Sequence, residues 1–178
     1  PFITLLTTII IVQEKASDNY KANSLEMTKN NVASMEEKFR RSQLLTISLV
    51  AAGYMVNNDS ASLQEVITHT VKGSPSLELC QVLQIRNKKE IALHPPNTKI
   101  NNAKIVFTPE KKTDADIQRQ IRIESHADIT NFFAPIYLGS YLYGMVTCAY
   151  SNQREIDLVA SLTAKTKTLS DISTSKLQ

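Results

Sequence analysis

Residues 130–150 read TNFFAPIYLGSYLYGMVTCAY. Two apolar runs, Thr130–Leu138 and Tyr141–Tyr150, are separated only by Gly139-Ser140. A two-residue loop that begins with glycine, set between such runs, predicts a type II′ β-hairpin. Antiparallel sheet is therefore the centre of the fold. Beyond the hairpin, Ser151 is placed to cap a closing helix whose apolar stripe is Ile156, Val159, Leu162 and Leu169. Before it, Arg119–Ser125 alternates Ile121 and Ile123 with Arg122 and Glu124, the pattern of a half-exposed strand, and His126-Ala127-Asp128 makes a turn.

Further upstream, Leu79–Ile85 and Glu90–His94 form a second expected hairpin around Asn87-Lys88-Lys89, ended by Pro95-Pro96. Residues 97–115 make a polar connection with one short strand expected at Lys104–Phe107. Connections of that length are often functional. Ser62-Leu63-Gln64-Glu65 fits a capping box opening a short helix, with Gly73 as a left-handed terminator and Pro75 as a stop. From Gln13 to about Asn57 there is no proline, and Val12, Ala16, Tyr20, Met27, Val32, Met35 and Phe39 recur at helical spacings. Leu44–Met55 is apolar nearly all round and is expected to be buried. A lone helix of this length needs a partner face, so a homodimer through the N-terminal helix is expected. Pro1–Val12, PFITLLTTIIIV, carries no charge. It would rise about 18 Å as a helix, against about 30 Å for a bilayer core. It reads as the outer part of a membrane helix, or as a segment buried in the fold; a basic region that would mark a signal peptide is missing.

The fold class expected is α+β: long N-terminal helix, short second helix, central antiparallel sheet of about five strands, C-terminal exit helix. The 178 residues carry 20 Lys and Arg against 17 Asp and Glu, a net +3, which gives no reason to expect nucleic acid. There are four Gly, fewer than the usual share of about 7%. They fall singly at Gly53, Gly73, Gly139 and Gly144, so glycine-rich phosphate loops are excluded. Gly53 suggests a close packing contact in the long helix, and Gly144 leaves space on the last strand.

Chemistry-bearing groups are scattered. His69 has no metal-ligating partner one turn on, His126 beside Asp128 is turn chemistry, and Asp114 with Asp116 reads as a solvated loop. Cys80 and Cys148 lack metal-ligand spacing and read as buried thiols. No catalytic residue, metal or cofactor is assigned. The best ligand candidates are aromatic hydroxyls and a cation around the closing hairpin. Phe133 and Tyr137 share one face of a strand, Tyr141 and Tyr143 share a face of the next, Arg122 stands on the preceding strand as an anion partner, and His94 ends a strand before two prolines.

Phe133-Ala134-Pro135-Ile136-Tyr137-Leu138-Gly139, continued by Tyr143-Gly144-Met145-Val146, resembles the closing hairpin of bacterial Cache domains, the PAS-like extracytoplasmic sensors. The order of elements is similar over nearly the whole chain. The resemblance implies a single-Cache sensor domain of a histidine kinase, diguanylate cyclase or chemoreceptor, non-enzymatic, held at the inner membrane by flanking segments and facing the periplasm. It implies residues 1–12 as membrane-helix remnant, 13–58 as stalk and dimerisation helix, 59–150 as PAS-like sensor core, and 151–178 as signalling helix. A small ligand, often a carboxylate or amino acid, would lie between the sheet and its covering loops. The resemblance also sets the strands of Cys80 and Cys148 side by side, as two buried thiols or a disulfide, with thiols the expected state. The rival reading is a structural or protein-interaction module with a stalk helix and no small ligand.

Overall fold

The computed structural model describes residues 2–98, 105–110 and 113–175. With no proline between Pro1 and Pro75, the first helix runs unbroken: α1 spans Phe2–Val56, about 80 Å at 1.5 Å per residue. Residues 2–12 continue it, and their side chains lie outside the described residues, so the membrane-or-core expectation for Pro1–Val12 does too. Among the described residues no helix is long and apolar enough to cross a membrane. Towards the C-terminal end of α1, Leu44, Ile47, Ser48 and Ala51 are buried at steps of three and four. The expectation that Leu44–Met55 is buried all round does not hold. Leu49 is 44% and Val50 36% exposed, because only one face of the helix meets the sheet.

Gly53 lies on the exposed side, and no atom lies within 4 Å of the place a Cβ would take. The close contact suggested for it is absent. Glycine in a helix interior costs about 0.5–1 kcal/mol relative to alanine. Gly53→Ala is therefore expected to stabilise the chain by about that amount, read as a higher urea midpoint at unchanged m-value. A lower midpoint would contradict this placement.

The second helix, α2 (Ser60–Gly73), is capped by Asp59 rather than by Ser62. The Asp59 carboxylate accepts the Ser62 N–H at 3.0 Å, and hydrogen bonds from the Ser62 side chain and backbone hold this carboxyl below its usual range. Gly73 is the last helical residue; the left-handed turn expected there is not made, since Gly139 is the positive-φ glycine. Ser74 instead donates its N–H to the Val71 carbonyl. Leu63, Ile67 and Val71, four residues apart, form the buried face.

Five antiparallel strands follow: β1 (Leu77–Gln84), β2 (Lys89–His94), β3 (Arg122–Ser125), β4 (Ile129–Leu138) and β5 (Tyr141–Ser151), in the order β2-β1-β5-β4-β3. Gly139 has φ +62 and turns the β4–β5 hairpin as expected for a glycine-first two-residue loop. At the first hairpin the Asn87 side chain accepts the Lys89 N–H, with Lys88 at φ 53. The short helix α3 (Asp114–Gln120) was not expected. Thr113 donates its backbone N–H to the Asp116 carboxylate at 2.8 Å, so these residues start a helix rather than a solvated loop. Strand β3 accordingly begins at Arg122 and not Arg119. Lys104, at the start of the expected short strand, lies outside the described residues, and 105–107 is not strand. The connection meets the sheet further on, where Glu110 bridges Tyr141 and Pro109 accepts the Leu142 N–H at 2.8 Å. The last helix is α4 (Gln153–Ser175); Ser151 Oγ accepts the Gln153 N–H, while Ile156 is exposed and the Leu169 side chain lies outside the described residues.

The architecture is thus the expected α+β layout. Glu37–Arg154 forms one compact unit and Pro1–Glu36 with Glu155–Gln178 another. In the first, one sheet face is sealed by α1 and α2: Leu44, Ile47, Leu63 and Ile67 meet Val82, Phe132, Ala134 and Val146. On the other face Phe107, Phe133 and Met145 cluster with Leu83, Ile105 and Leu142. The edge strand β2 is blunted by Gln64, whose side-chain amide donates to the Leu93 carbonyl and accepts the Leu93 N–H, both at 2.9 Å.

Candidate functional site

The six sequence-derived ligand candidates do not converge. His94 and Arg122 sit on β2 and β3, the two outer strands. Four strand spacings of about 4.8 Å separate those edges, too far for one small ligand. Phe133 is fully buried against Phe107 and Met145. Tyr137 is buried as well, and its hydroxyl lies 2.6 Å from the Thr108 carbonyl and 3.1 Å from Gln120 Oε1. These two share the loop-covered face as expected, but they pin the 105–110 segment to the sheet. Tyr141 is 68% exposed.

Tyr143 is placed differently because the ladder slips. Ile136 pairs with Gly144 and Tyr137 with Leu142, which leaves Tyr143 as the extra residue of a β-bulge. The slip breaks the simple alternation. Leu142 and Met145 both face the loop-covered cluster although three residues apart, so Tyr143 and Gly144 between them both turn to the helix-covered face, beside Met55. The Tyr143 hydroxyl accepts a hydrogen bond from Gln84 Nε2 at 2.7 Å. It helps to line a cavity of about 210 Å³ with Tyr54 and Met55 from the end of α1, Asn58, Asp59, Ser60 and Leu63 from the α1–α2 junction and α2, and Lys89 and Ile91 from β2. The cavity lies within the Glu37–Arg154 unit. Its size is below the roughly 300–1,000 Å³ of sites for drug-sized ligands, and suits a molecule of a few heavy atoms. Its lining includes Lys89, Asp59, Tyr54 and Tyr143, residue types able to form charge-assisted and hydroxyl hydrogen bonds to a polar or zwitterionic molecule.

The sequence reasoning missed Tyr54, Asp59 and Lys89. Asp59 and Lys89 stand in separate polar stretches, and only the packing of the α1–α2 junction on the sheet brings both to one cavity.

A second feature joins the helices to the sheet. Arg40 of α1 is 3% exposed. Its guanidinium donates to the Ser151 carbonyl at 3.1 Å and to Asn152 Oδ1 at 3.2 Å. It also stands 5.5 Å from the Tyr150 ring centroid, a cation–π distance. Asn152 in turn accepts the Thr130 hydroxyl and donates to the His126 carbonyl. One side chain of α1 thus holds the residues at which β5 becomes α4.

Among the described residues no cluster of three or more His, Cys, Asp or Glu could hold a metal ion. No protein-family model and no curated protein matches this chain. What the site can do is therefore argued from its geometry. The cavity is lined by residues of both charges, Lys89 and Asp59.

Proposed function

We propose that the chain is a non-enzymatic sensor domain of the Cache type, the extracytoplasmic ligand-binding part of a bacterial transmembrane receptor such as a histidine kinase, diguanylate cyclase or chemoreceptor. The observation that carries the reading is the Arg40 contact. The sheet that would bind ligand is fastened, through one buried guanidinium, to both the long α1 and the first residues before α4. The adjacency of β1 and β5, implied by the resemblance, supports it too. A ligand that favours one arrangement of the α1–α2 junction over another shifts the population of the helices by its difference in affinity. The cavity beside Tyr143, Lys89 and Asp59 favours a small carboxylate or amino acid. The domain acts as a homodimer through α1, where Tyr20, Met27, Met35 and Phe39 are exposed apolar side chains. It belongs at the inner membrane, facing the periplasm, with flanking segments as its attachment and no nucleic-acid partner.

The test is a thermal-shift screen of the full chain against amino acids and small carboxylates. At least one compound is expected to raise the midpoint in a concentration-dependent way, since a ligand at 100 times its Kd adds about 2.7 kcal/mol. Tyr143→Phe and Lys89→Met, each folded, are expected to weaken that compound's effect at least about tenfold in concentration, the loss of roughly 1.4 kcal/mol of binding. A compound that binds equally well to both variants would move the site elsewhere. If none binds, an interaction module without a small ligand becomes the better reading, favoured by the same exposed side chains on α1.

A further inference from the structure

Cys80 and Cys148 are directly opposite on adjacent interior strands, β1 and the central β5. The Ile85 N–H donates to the Tyr143 carbonyl at 3.0 Å. With that bond marking a hydrogen-bonded pair, the unbroken alternation back along the ladder makes Cys80/Cys148 a non-hydrogen-bonded pair. In such pairs the side chains come closest, and the Cα separation of about 4.5 Å falls within the disulfide range. Both residues are free thiols, fully buried, and their sulfur atoms are 2.8 Å apart. Non-bonded heavy atoms normally rest at about 3.5–4.0 Å, so a bond of about 2.05 Å requires an approach of less than 1 Å.

We propose that Cys80 and Cys148 are a redox-modification site that closes to a cross-strand disulfide when a low-molecular-weight disulfide is the oxidant. One thiolate attacks the oxidant and expels a thiol, leaving a mixed disulfide; the second thiolate then attacks the protein sulfur and expels another. Two cysteine thiols are oxidised and lose two protons and two electrons, and the oxidant becomes two thiols. The burial under Leu44, Leu63 and Ile67 decides when this happens. The oxidant reaches the sulfurs before α1 and α2 close over the sheet or when they open. Burial, then the neighbouring Cys80, pushes the Cys148 thiol up, which keeps the closed pair unreactive at neutral pH. The new bond would link residues 68 apart in sequence, beside Tyr150, the ring under Arg40. The register alone carries the proposal, which does not rest on the receptor reading.

The test refolds the wild-type chain in oxidised and reduced glutathione, with a parallel sample in reductant. Both are then unfolded in denaturant with an alkylating reagent and weighed by mass spectrometry. The oxidised sample is expected to be monomeric, two hydrogens lighter and unalkylated, with peptides bearing Cys80 and Cys148 linked. Its thermal midpoint is expected to lie several degrees above that of the reduced sample, a difference abolished by adding reductant. Two alkylated thiols, a glutathione adduct, or a disulfide between two chains as the main product would each overturn the assignment.

Discussion

Gly144→Val is expected to destabilise the domain by about 3 kcal/mol, at the upper end for forcing atoms into a packed core. A Cβ at this position would stand 2.7 Å from the Leu83 carbonyl oxygen, 3.3 Å from Met55 Cε and 3.4 Å from Ile136 Cδ1. The methionine tip can swing away. The Leu83 carbonyl cannot, because it belongs to the neighbouring strand of the ladder, so the β1–β5 pairing itself must give. For a chain of this size the loss corresponds to a fall of roughly 6–12 °C in Tm. Gly144→Ala should lose less, and Gly53→Ala, where there is open space, should move the other way. Calorimetry of the three variants checks the ranking. Equal effects at positions 53 and 144 would show that the strands are not as close as described.

Arg40→Ala is expected to cost about 2–3 kcal/mol. It removes two hydrogen bonds from a charged donor, each worth about 1.5–3 kcal/mol, and the contact over Tyr150. The desolvation of a guanidinium at 3% exposure offsets part of that sum. Arg40→Met separates the two contributions. It fills similar space without charge, so it should recover much of the stability while leaving the Ser151 carbonyl and Asn152 without their donor. Hydrogen exchange at residues 151–156 should then quicken in both variants, although only the alanine variant shows a large fall in the urea midpoint. Burial also holds the Tyr150 hydroxyl far above its ordinary value, so it stays a neutral donor to Gln43 Oε1 at 3.2 Å. An Arg40→Met chain with unchanged exchange at 151–156 would show that Arg40 does not hold this junction.

The layout was legible where one local signal sufficed. Gly139-Ser140 located the hairpin, and the helical spacing before Asn57 located the long helix. The short helix at 114–120 was legible in principle, because Thr113 and Asp116 are a capping pair, but the Lys-flanked polar surroundings masked it. The helix start at Asp59 was displaced because two capping candidates, Asp59 and Ser62, lie three residues apart, and the carboxylate of the first takes the amide of the second. The candidate site was the least legible part. Alternation correctly paired Phe133 with Tyr137, but the bulge sets Tyr143 and Gly144 on one face where alternation would part them, and bulges depend on pairing between strands. Sequence makes Arg122, on the strand before the hairpin, and His94, at a strand end, candidates for one site, yet strand order sends them to opposite edges. Lys89 and Asp59 come to one cavity only through tertiary structure.

Hydrogen–deuterium exchange of the full chain, with and without the compound that gives the largest thermal shift, reads the coupling of cavity to helices directly. Slower exchange is expected around the cavity, at residues 54–63, 84–91 and 143, together with a change in α1 near Arg40 and at residues 151–156, where Arg40 holds the two residues before α4. Protection confined to the cavity, with the Arg40 junction unchanged at saturating ligand, would contradict a sensor that works through its helices.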